Sequence, residues 1–341
     1  MTPASPTNTA DHTSPRRLAV LALSRGGCEL GRRLAGSLDG DFFPCKGRVA
    51  KVMAELWDRY PALVCIMATG IVVRTIAPLL RDKYHDPAIV VCDEQGRFAI
   101  SLLSGHLGGA NDLAGRVAEV TGGQAVLTTA SDVLGRTALD LWCRHHQLIP
   151  ADTGALTRAM GRLVDQGVVT LWSRYPLPEL PDDLRPVVER TQADLIIDSR
   201  STPTDRGALL LPKALVFGIG CNRGTPAGTI AAAVEATCRQ HDFDARAIAR
   251  FASIDLKQDE AGLLEYAHQQ GLTIDFYDKE TLNRVEGVST SAAVQRATGA
   301  KGVAEPAALL SAGAGATLLV AKMKWTDVTT AVAEIADPLR G

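Results

Sequence analysis

The sequence has no cysteine pairs, no excess of either charge and no long apolar run, and each absence removes a class of protein. Its seven cysteines, Cys28, Cys45, Cys65, Cys92, Cys143, Cys221 and Cys238, stand singly, with no C-x-x-C and no histidine at zinc-finger spacing. That pattern excludes a disulfide scaffold and a structural zinc site, and it suits a reducing cytoplasm. Cys65 and Cys92 sit inside apolar runs and read as small buried hydrophobes, so no protein-bound metal is expected. Lys plus Arg, 36, nearly cancels Asp plus Glu, 38, leaving a formal charge of −2. Nothing in that balance draws the chain to nucleic acid or to an anionic membrane, and an anionic ligand has to be caught by local groups. The most apolar window, 62–73, is far shorter than the about 20 residues that span a bilayer. Residues 1–17, rich in Pro, Thr, Ser and Asp, lack the apolar core of a signal peptide and read as a disordered tail. There is no solenoid repeat. No glycine-rich segment ends in the Gly-Lys-Ser/Thr of a P-loop, and Gly218, Gly220 and Gly224 are spaced one residue too widely for G-x-G-x-x-G.

What is present is a length of 341 residues with 46% apolar and 22% charged content. These values fit two or three globular domains better than one. The recurring pattern is apolar strand, glycine turn, helix. Residues 18–24 lead through Arg25-Gly26-Gly27 into a helix to 38; residues 62–68 lead through Thr69-Gly70 into 71–80, limited near its end by Pro78. Strands 88–92 and 97–103 flank Asp93-Glu94-Gln95-Gly96 as a hairpin, which makes the sheet mixed. A helix follows from 110 to 120, then a strand at 125–127 and a helix through 145. Further on, Thr225 is expected to cap a helix with Pro226 in its first position, Asp278 to cap a helix from Lys279, and Pro306 to start one over 307–311. A strand at 316–323 and a last helix at 328–336 close the chain. The expected fold is α/β, with three-layer α/β/α domains holding mixed, mostly parallel sheets and joined by a small middle α/β module. The expected boundaries are 18–147, 148–200 for the middle module, 201–212 for a linker and 213–341.

Strand-to-helix turns in such sheets present backbone N–H groups and a helix dipole to anions. Three stand out: Thr69 and Gly70 with Arg74, residues 104–112, and Gly218 to Thr225 with Gly220 and Arg223. For one such turn alone, tight geometry is a sufficient explanation; three together point to anion binding. His106 differs from the other six histidines in lying between glycines at a strand end, which makes it a candidate general base. Asp112 is placed to aid it, and Gly108 and Gly109 offer N–H groups for an oxyanion. The competing reading gives His106 a structural hydrogen bond and Asp112 a helix-dipole role. Lys322 and Lys324, two apart on a strand, project from one face toward an anion or guard an edge. Glu305 reads as a helix-start acid, and Lys257 with Glu260 as a surface pair.

Three strings carry a resemblance to the cobalt-precorrin-5A hydrolases called CbiG: Ile66-Met67-Ala68-Thr69-Gly70-Ile71-Val72-Val73-Arg74, Ser104-Gly105-His106-Leu107-Gly108-Gly109-Ala110-Asn111-Asp112, and Gly218-Ile219-Gly220-Cys221. So do Ala252-Ser253-Ile254-Asp255, Gly302-Val303-Ala304-Glu305 and the strand ending at Lys322. The resemblance implies an enzyme of anaerobic cobalamin synthesis that opens a δ-lactone and releases acetaldehyde, giving cobalt-precorrin-5B. It implies a cobalt-corrinoid substrate that brings its own metal, so no protein cofactor, with adjacent enzymes of the route as candidate partners. Thr69, Gly70, Arg74, Ser104, Gly105, Gly108, Gly109, Asn111, Gly220, Arg223 and Lys322 are the candidate substrate contacts, and His106 with Asp112 the candidate catalytic pair. The C-terminal region also resembles the stand-alone CobE proteins, which leaves a non-catalytic corrinoid-handover protein as the alternative.

Overall fold

The computed structural model describes residues 18–82, 85–202 and 206–340. The tail expected over 1–17 lies outside these residues. The chain forms two compact units that adjoin in sequence at Ala138 and Leu139. Among the described residues, no helix is long and apolar enough to cross a membrane.

The first unit runs β1 (Ala19–Ala22), α1 (Arg25–Ser37), β2 (Asp41–Pro44), α2 (Val49–Trp57), β3 (Ala62–Ile66), α3 (Thr69–Ile76), β4 (Ala88–Cys92), β5 (Phe98–Leu103), α4 (Ala110–Thr121), β6 (Gln124–Val126) and α5 (Ala130–Val133). Its six strands are ordered β2-β1-β3-β4-β5-β6. Successive residues of a strand face opposite sides of the sheet, so both faces are apolar here and both are covered. Val20, Ala22, Val64 and Ile66 pack under α1 and α4. Ala19, Leu21, Leu63 and Cys65 pack against α2 and α3. Burial pushes the Cys65 thiol up to about 12, with Cys45 beside it adding to the shift, so Cys65 behaves as the inert hydrophobe its sequence context suggested.

One feature of this sheet decides where its loops lie. β1, β2, β3 and β4 are parallel, but the hairpin at Asp93–Gly96 turns β5 antiparallel to β4, and β6 then runs parallel to β5. Leu103 therefore sits beside Ile89, at the starting end of β4, and the loop that follows β5 leaves the sheet at the edge opposite to Thr69.

The second unit begins with α6 (Leu139–His145), β7 (Ile149–Pro150), α7 (Thr153–Gln166), β8 (Val169–Ser173), β9 (Leu184–Pro186), β10 (Leu195–Ile197) and β11 (Ala208–Leu211). These five strands form one sheet in the order β7-β11-β10-β8-β9. Two expected boundaries move as a result. α6, expected in the N-terminal domain, gives Leu139, Trp142 and Cys143 to the core of this middle sheet. β11 lies inside the stretch expected as a linker, because Leu210 and Leu211 are fully buried between β10 and β7.

The rest of the unit is β12 (Leu215–Cys221), α8 (Ala227–Gln240), β13 (Ile248–Ile254), α9 (Ala261–Gln270), β14 (Ile274–Tyr277), α10 (Lys279–Asn283), α11 (Ala292–Thr298), α12 (Ala304–Ala312), β15 (Thr317–Lys324) and β16 (Val328–Glu334). The sheet order is β14-β13-β12-β16-β15, with α8 and α9 packed on one face and α10 and α12 on the other. The helix expected at 328–336 is instead β16, antiparallel to both β12 and β15. Its alanines and its lack of polar alternation look helical, but both of its faces are buried, and Val328, Thr329, Thr330 and Val332 are the β-branched residues that suit a central strand. The helix expected from Pro306 starts at Ala304, with Pro306 in its first turn, where no hydrogen bond is lost. Asp278 caps α10 through Thr281 N, as its position suggested.

Candidate functional site

The turn after β5 is held by its own backbone. Ala110 N donates to Ser104 O at 3.2 Å, Asn111 N to Gly105 O at 3.0 Å and Gly109 N to His106 O at 3.0 Å. Ser104 takes φ +56 and Gly109 φ +83; the first is a left-handed conformation that a non-glycine residue adopts at some cost, and Ser104 is anchored in it by its hydroxyl, which donates to Asp86 O at 3.0 Å. A side chain at Gly108 would come within 2.7 Å of Ser104 O. The glycines thus fold the turn tightly enough to present His106. Gly109 N–H is committed to this fold, and Gly108 is exposed.

The His106 side chain is only 7% exposed, and its Nε2 lies 2.9 Å from Asp132 Oδ2 and 3.3 Å from Ser131 Oγ. Asp132 Oδ2 also accepts from Asn111 Nδ2 at 2.7 Å, Asn111 Nδ2 reaches Thr129 Oγ1 at 3.3 Å, and Ser101 Oγ donates to Asn111 Oδ1 at 2.6 Å. Asn111 is buried, and the network satisfies its amide from both ends. The carboxylate beside His106 is therefore Asp132, in α5 after the parallel neighbour β6, and not Asp112, which is exposed in the first turn of α4. Sequence reasoning missed Asp132. The available signal was Thr129-Ala130-Ser131-Asp132 after a short strand, a Thr-x-x-acid pattern at a helix start.

Thr69, Gly70 and Arg74 lie at the other edge of the same sheet. Arg74 is exposed, and its Nη1 donates to Gly70 O at 3.1 Å. Half-buried Thr69 lines a cavity of about 490 Å³ with Leu23, Ile66, Met67, Phe98 and Ile100. Asp93 and Glu94 also line it, and Arg74 does not. The structure thus separates this turn from His106 rather than joining the two.

In the second unit the ends of β12, β13 and β15 share one edge, and a cavity of about 330 Å³ opens there. Gly220, Asn222, Lys257, Lys322 and Lys324 line it on the polar side, and Ile254, Val294, Ala297 and Val303 on the apolar side. Close approach of backbone requires Gly218: a side chain there would lie 2.7 Å from Ala304 C, inside α12. Two buried carboxylates brace the rim. Glu305 accepts from Lys322 N at 2.7 Å and from Ser289 N. Glu260 accepts from Gly224 N at 2.7 Å and from Lys257 Nζ at 2.9 Å. Burial alone would raise both carboxyls. The Lys257 ammonium and Gly224 N–H outweigh it at Glu260, and the N–H groups of Lys322 and Ser289 at Glu305, so both are held below the usual carboxylate range.

Glu305 is thus more than a helix-start acid, and Lys257–Glu260 is not a surface pair, since Glu260 is 2% exposed. Arg223 is exposed, pairs with Asp259 and lies 3.7 Å from Glu260. It braces the turn and does not line the cavity. Thr225 precedes the helix cap, which is Pro226, and its buried hydroxyl donates to Asn222 O at 2.8 Å. Gly220 and Lys322 are the two sequence-derived contacts that line the cavity; Asn222, Lys257 and Lys324 join them there.

Comparison with known proteins gives concordant results. The family profile described as Cobalamin synthesis G N-terminal matches residues 51–132, and the one described as Cobalamin synthesis G C-terminus matches residues 215–333. The chain is 36% identical over 309 residues to the cobalt-precorrin-5A hydrolase of Priestia megaterium, covering 85% of this chain and 82% of that protein. It is 34% identical over 327 residues to the cobalt-precorrin-5A hydrolase of Salmonella typhimurium, covering 88% and 93%. It is also 35% identical over 121 residues to Protein CobE of a Sinorhizobium species, covering 35% of this chain and 79% of that protein. Matched by profiles in both units and similar to two such hydrolases over most of its length, the chain belongs to the cobalt-precorrin-5A hydrolase (CbiG) family.

Proposed function

We propose that the chain hydrolyses cobalt-precorrin-5A in cobalamin biosynthesis, adding water across the δ-lactone and yielding cobalt-precorrin-5B and acetaldehyde. The observation that carries this reading is its identity of 34% or more to two hydrolases of that name over more than four-fifths of the chain. The handover alternative has no comparable support.

His106 serves as the base. It takes a proton from water as the oxygen adds to the lactone carbonyl, and the exposed Gly108 N–H faces the developing oxyanion. Collapse of that adduct breaks the acyl–oxygen bond, leaving a carboxylate and an alcohol that receives the proton from His106. The alcohol then loses its O–H proton and becomes acetaldehyde as the neighbouring carbon–carbon bond breaks. The electron pair of that bond passes into the conjugated macrocycle, so the second step draws on the substrate's own electronics. The cobalt belongs to the substrate. The cavity of the second unit, taken by itself, offers Lys322 and Lys324 to carboxylates; a charge-assisted hydrogen bond of this kind contributes about 1.5 to 3 kcal/mol.

Anaerobic incubation with cobalt-precorrin-5A, mass spectrometry of the corrinoid and chemical trapping of acetaldehyde test the reading. Stoichiometric acetaldehyde with a ring-opened corrinoid is expected. Tight corrinoid binding with neither product would overturn the hydrolase reading in favour of a handover protein.

A further inference from the structure

We infer that Glu305 is a positioning residue for the substrate: its buried carboxylate holds the bulged segment of β15 that turns Lys322 and Lys324 toward the cavity of the second unit. The inference rests on the reading of these two lysines as contacts for substrate carboxylates. Its physical ground is the register of β15 against β16. Val320 pairs with Val332 and Met323 with Thr330, so three steps along β15 are matched by two along β16. The extra residue is a bulge, which takes backbone out of the ladder and changes the face that each later side chain occupies. Residues three apart on a regular strand face opposite sides. Here Val320 and Met323 both pack into the core under α8 and α9. Lys322, which would share the face of Val320 in an unbroken strand, instead lines the cavity with Lys324, Val294 and Val303.

Glu305 takes up backbone at this bulge. Its Oε1 accepts from Lys322 N at 2.7 Å. Its Oε2 accepts from Ser289 N, ahead of α11, whose Val294 and Ala297 form another wall of the cavity. An acid that only complements its own helix dipole needs neither burial nor distant partners. Glu305 is 3% exposed, and its two oxygens reach backbone 16 and 17 residues away. Burying a carboxylate is costly unless it is hydrogen-bonded, and here both bonds run to segments that carry the cavity walls. One side chain thus ties the lysine-bearing strand to the wall that precedes and includes α11, and support of this kind keeps binding groups in a fixed geometry.

The test joins a substrate-free and a kinetic readout on the full chain. Residue-resolved hydrogen exchange should show the Lys322 and Ser289 amides protected in the wild-type protein and much faster in Glu305→Gln, while the amides of β12 and β16 keep their protection and show the unit folded. If both amides exchange in the wild-type protein as fast as exposed loop amides, the inference is overturned with no variant needed. With cobalt-precorrin-5A, Glu305→Gln should raise KM about tenfold and leave kcat within a few-fold. In a protein already carrying Lys322→Gln and Lys324→Gln, the same substitution should change kcat/KM little, because Glu305 acts through the lysines. An equal loss in both backgrounds would assign Glu305 to the fold alone and overturn the inference, as would a wild-type KM in folded Glu305→Gln when Lys322→Gln raises it. If Lys322→Gln and Lys324→Gln each keep the wild-type KM, the reading of the lysines fails and the inference falls with it; acetaldehyde release by the wild-type protein tests the hydrolase reading separately.

Discussion

The turns at 104–112 and 218–225 have the same written form, strand then glycines then helix, yet their glycines meet opposite needs. In the first they let the backbone bend through φ +83 at Gly109 and close up against Ser104, which presents a single titratable ring to a relay of side chains. In the second, Gly218 lies within a strand and lets α12 approach until its backbone touches the sheet, two residues before Gly220, which lines the cavity with Lys322 and Lys324. One turn is built around hydrogen bonds to one histidine, the other around packing, with cations at the rim. Similar sequence grammar therefore does not mean similar chemistry, and the two sites should fail in different ways when altered.

The largest difference should come from packing. Gly218→Val places side-chain atoms on the backbone of α12, a clash against main chain that neighbours cannot relieve. We expect a loss of several kcal/mol, enough to abolish the folded second unit, read by calorimetry or circular dichroism. A stable Gly218→Val protein would mean that the close approach of α12 is not required. At the rim, the single variant Lys322→Gln or Lys324→Gln should raise KM for the corrinoid by about 10- to 100-fold while leaving kcat within a few-fold, since a lost charge-assisted bond is worth about 1.5 to 3 kcal/mol. An equal loss in kcat would instead assign the lysines to the chemical step.

Acid should also separate the sites. Glu260 and Glu305 have carboxyls held low in the folded state, so the stability they contribute is complete above their ordinary unfolded values, near 4.3, and is lost as pH falls through their lower folded values. The thermal transition of the second unit should therefore drop below about pH 4 and be partly protected from that drop in Glu305→Gln, which has no proton to gain. A transition independent of pH between 5 and 2.5 would contradict the assignment. Smallest of all, Asp112→Asn should cost only a few tenths of a kcal/mol, the helix-dipole contribution of an exposed first-turn acid, and should lower the rate less than Asp132→Asn does.

Much of this was legible in the sequence because it rests on local rules. The hairpin at Asp93–Gly96, the Asp278 cap and the alternating strand–helix order depend on residues within a few positions of one another. What was not legible depends on pairing across the chain. The reversal of β5 follows from the hairpin, but its consequence, that His106 and Arg74 leave opposite edges, needs the strand order. Asp132 stands 26 residues from His106 and reaches it only because β6 lies parallel to β5, while Asp112 was nearer in sequence and drew the assignment. β16 was misread because a strand buried on both faces loses the alternation that identifies strands, and Glu260 because an i, i+3 pair with Lys257 looks the same whether solvated or buried.

The role of His106 is tested most directly by the rate at which His106→Ala converts cobalt-precorrin-5A under single-turnover conditions, measured anaerobically by acetaldehyde release alongside the wild-type protein at equal saturation. We predict a loss on the order of 10²- to 10⁴-fold with the fold intact; a folded variant that releases acetaldehyde at the wild-type rate would contradict the claim that the turn after β5 holds the base.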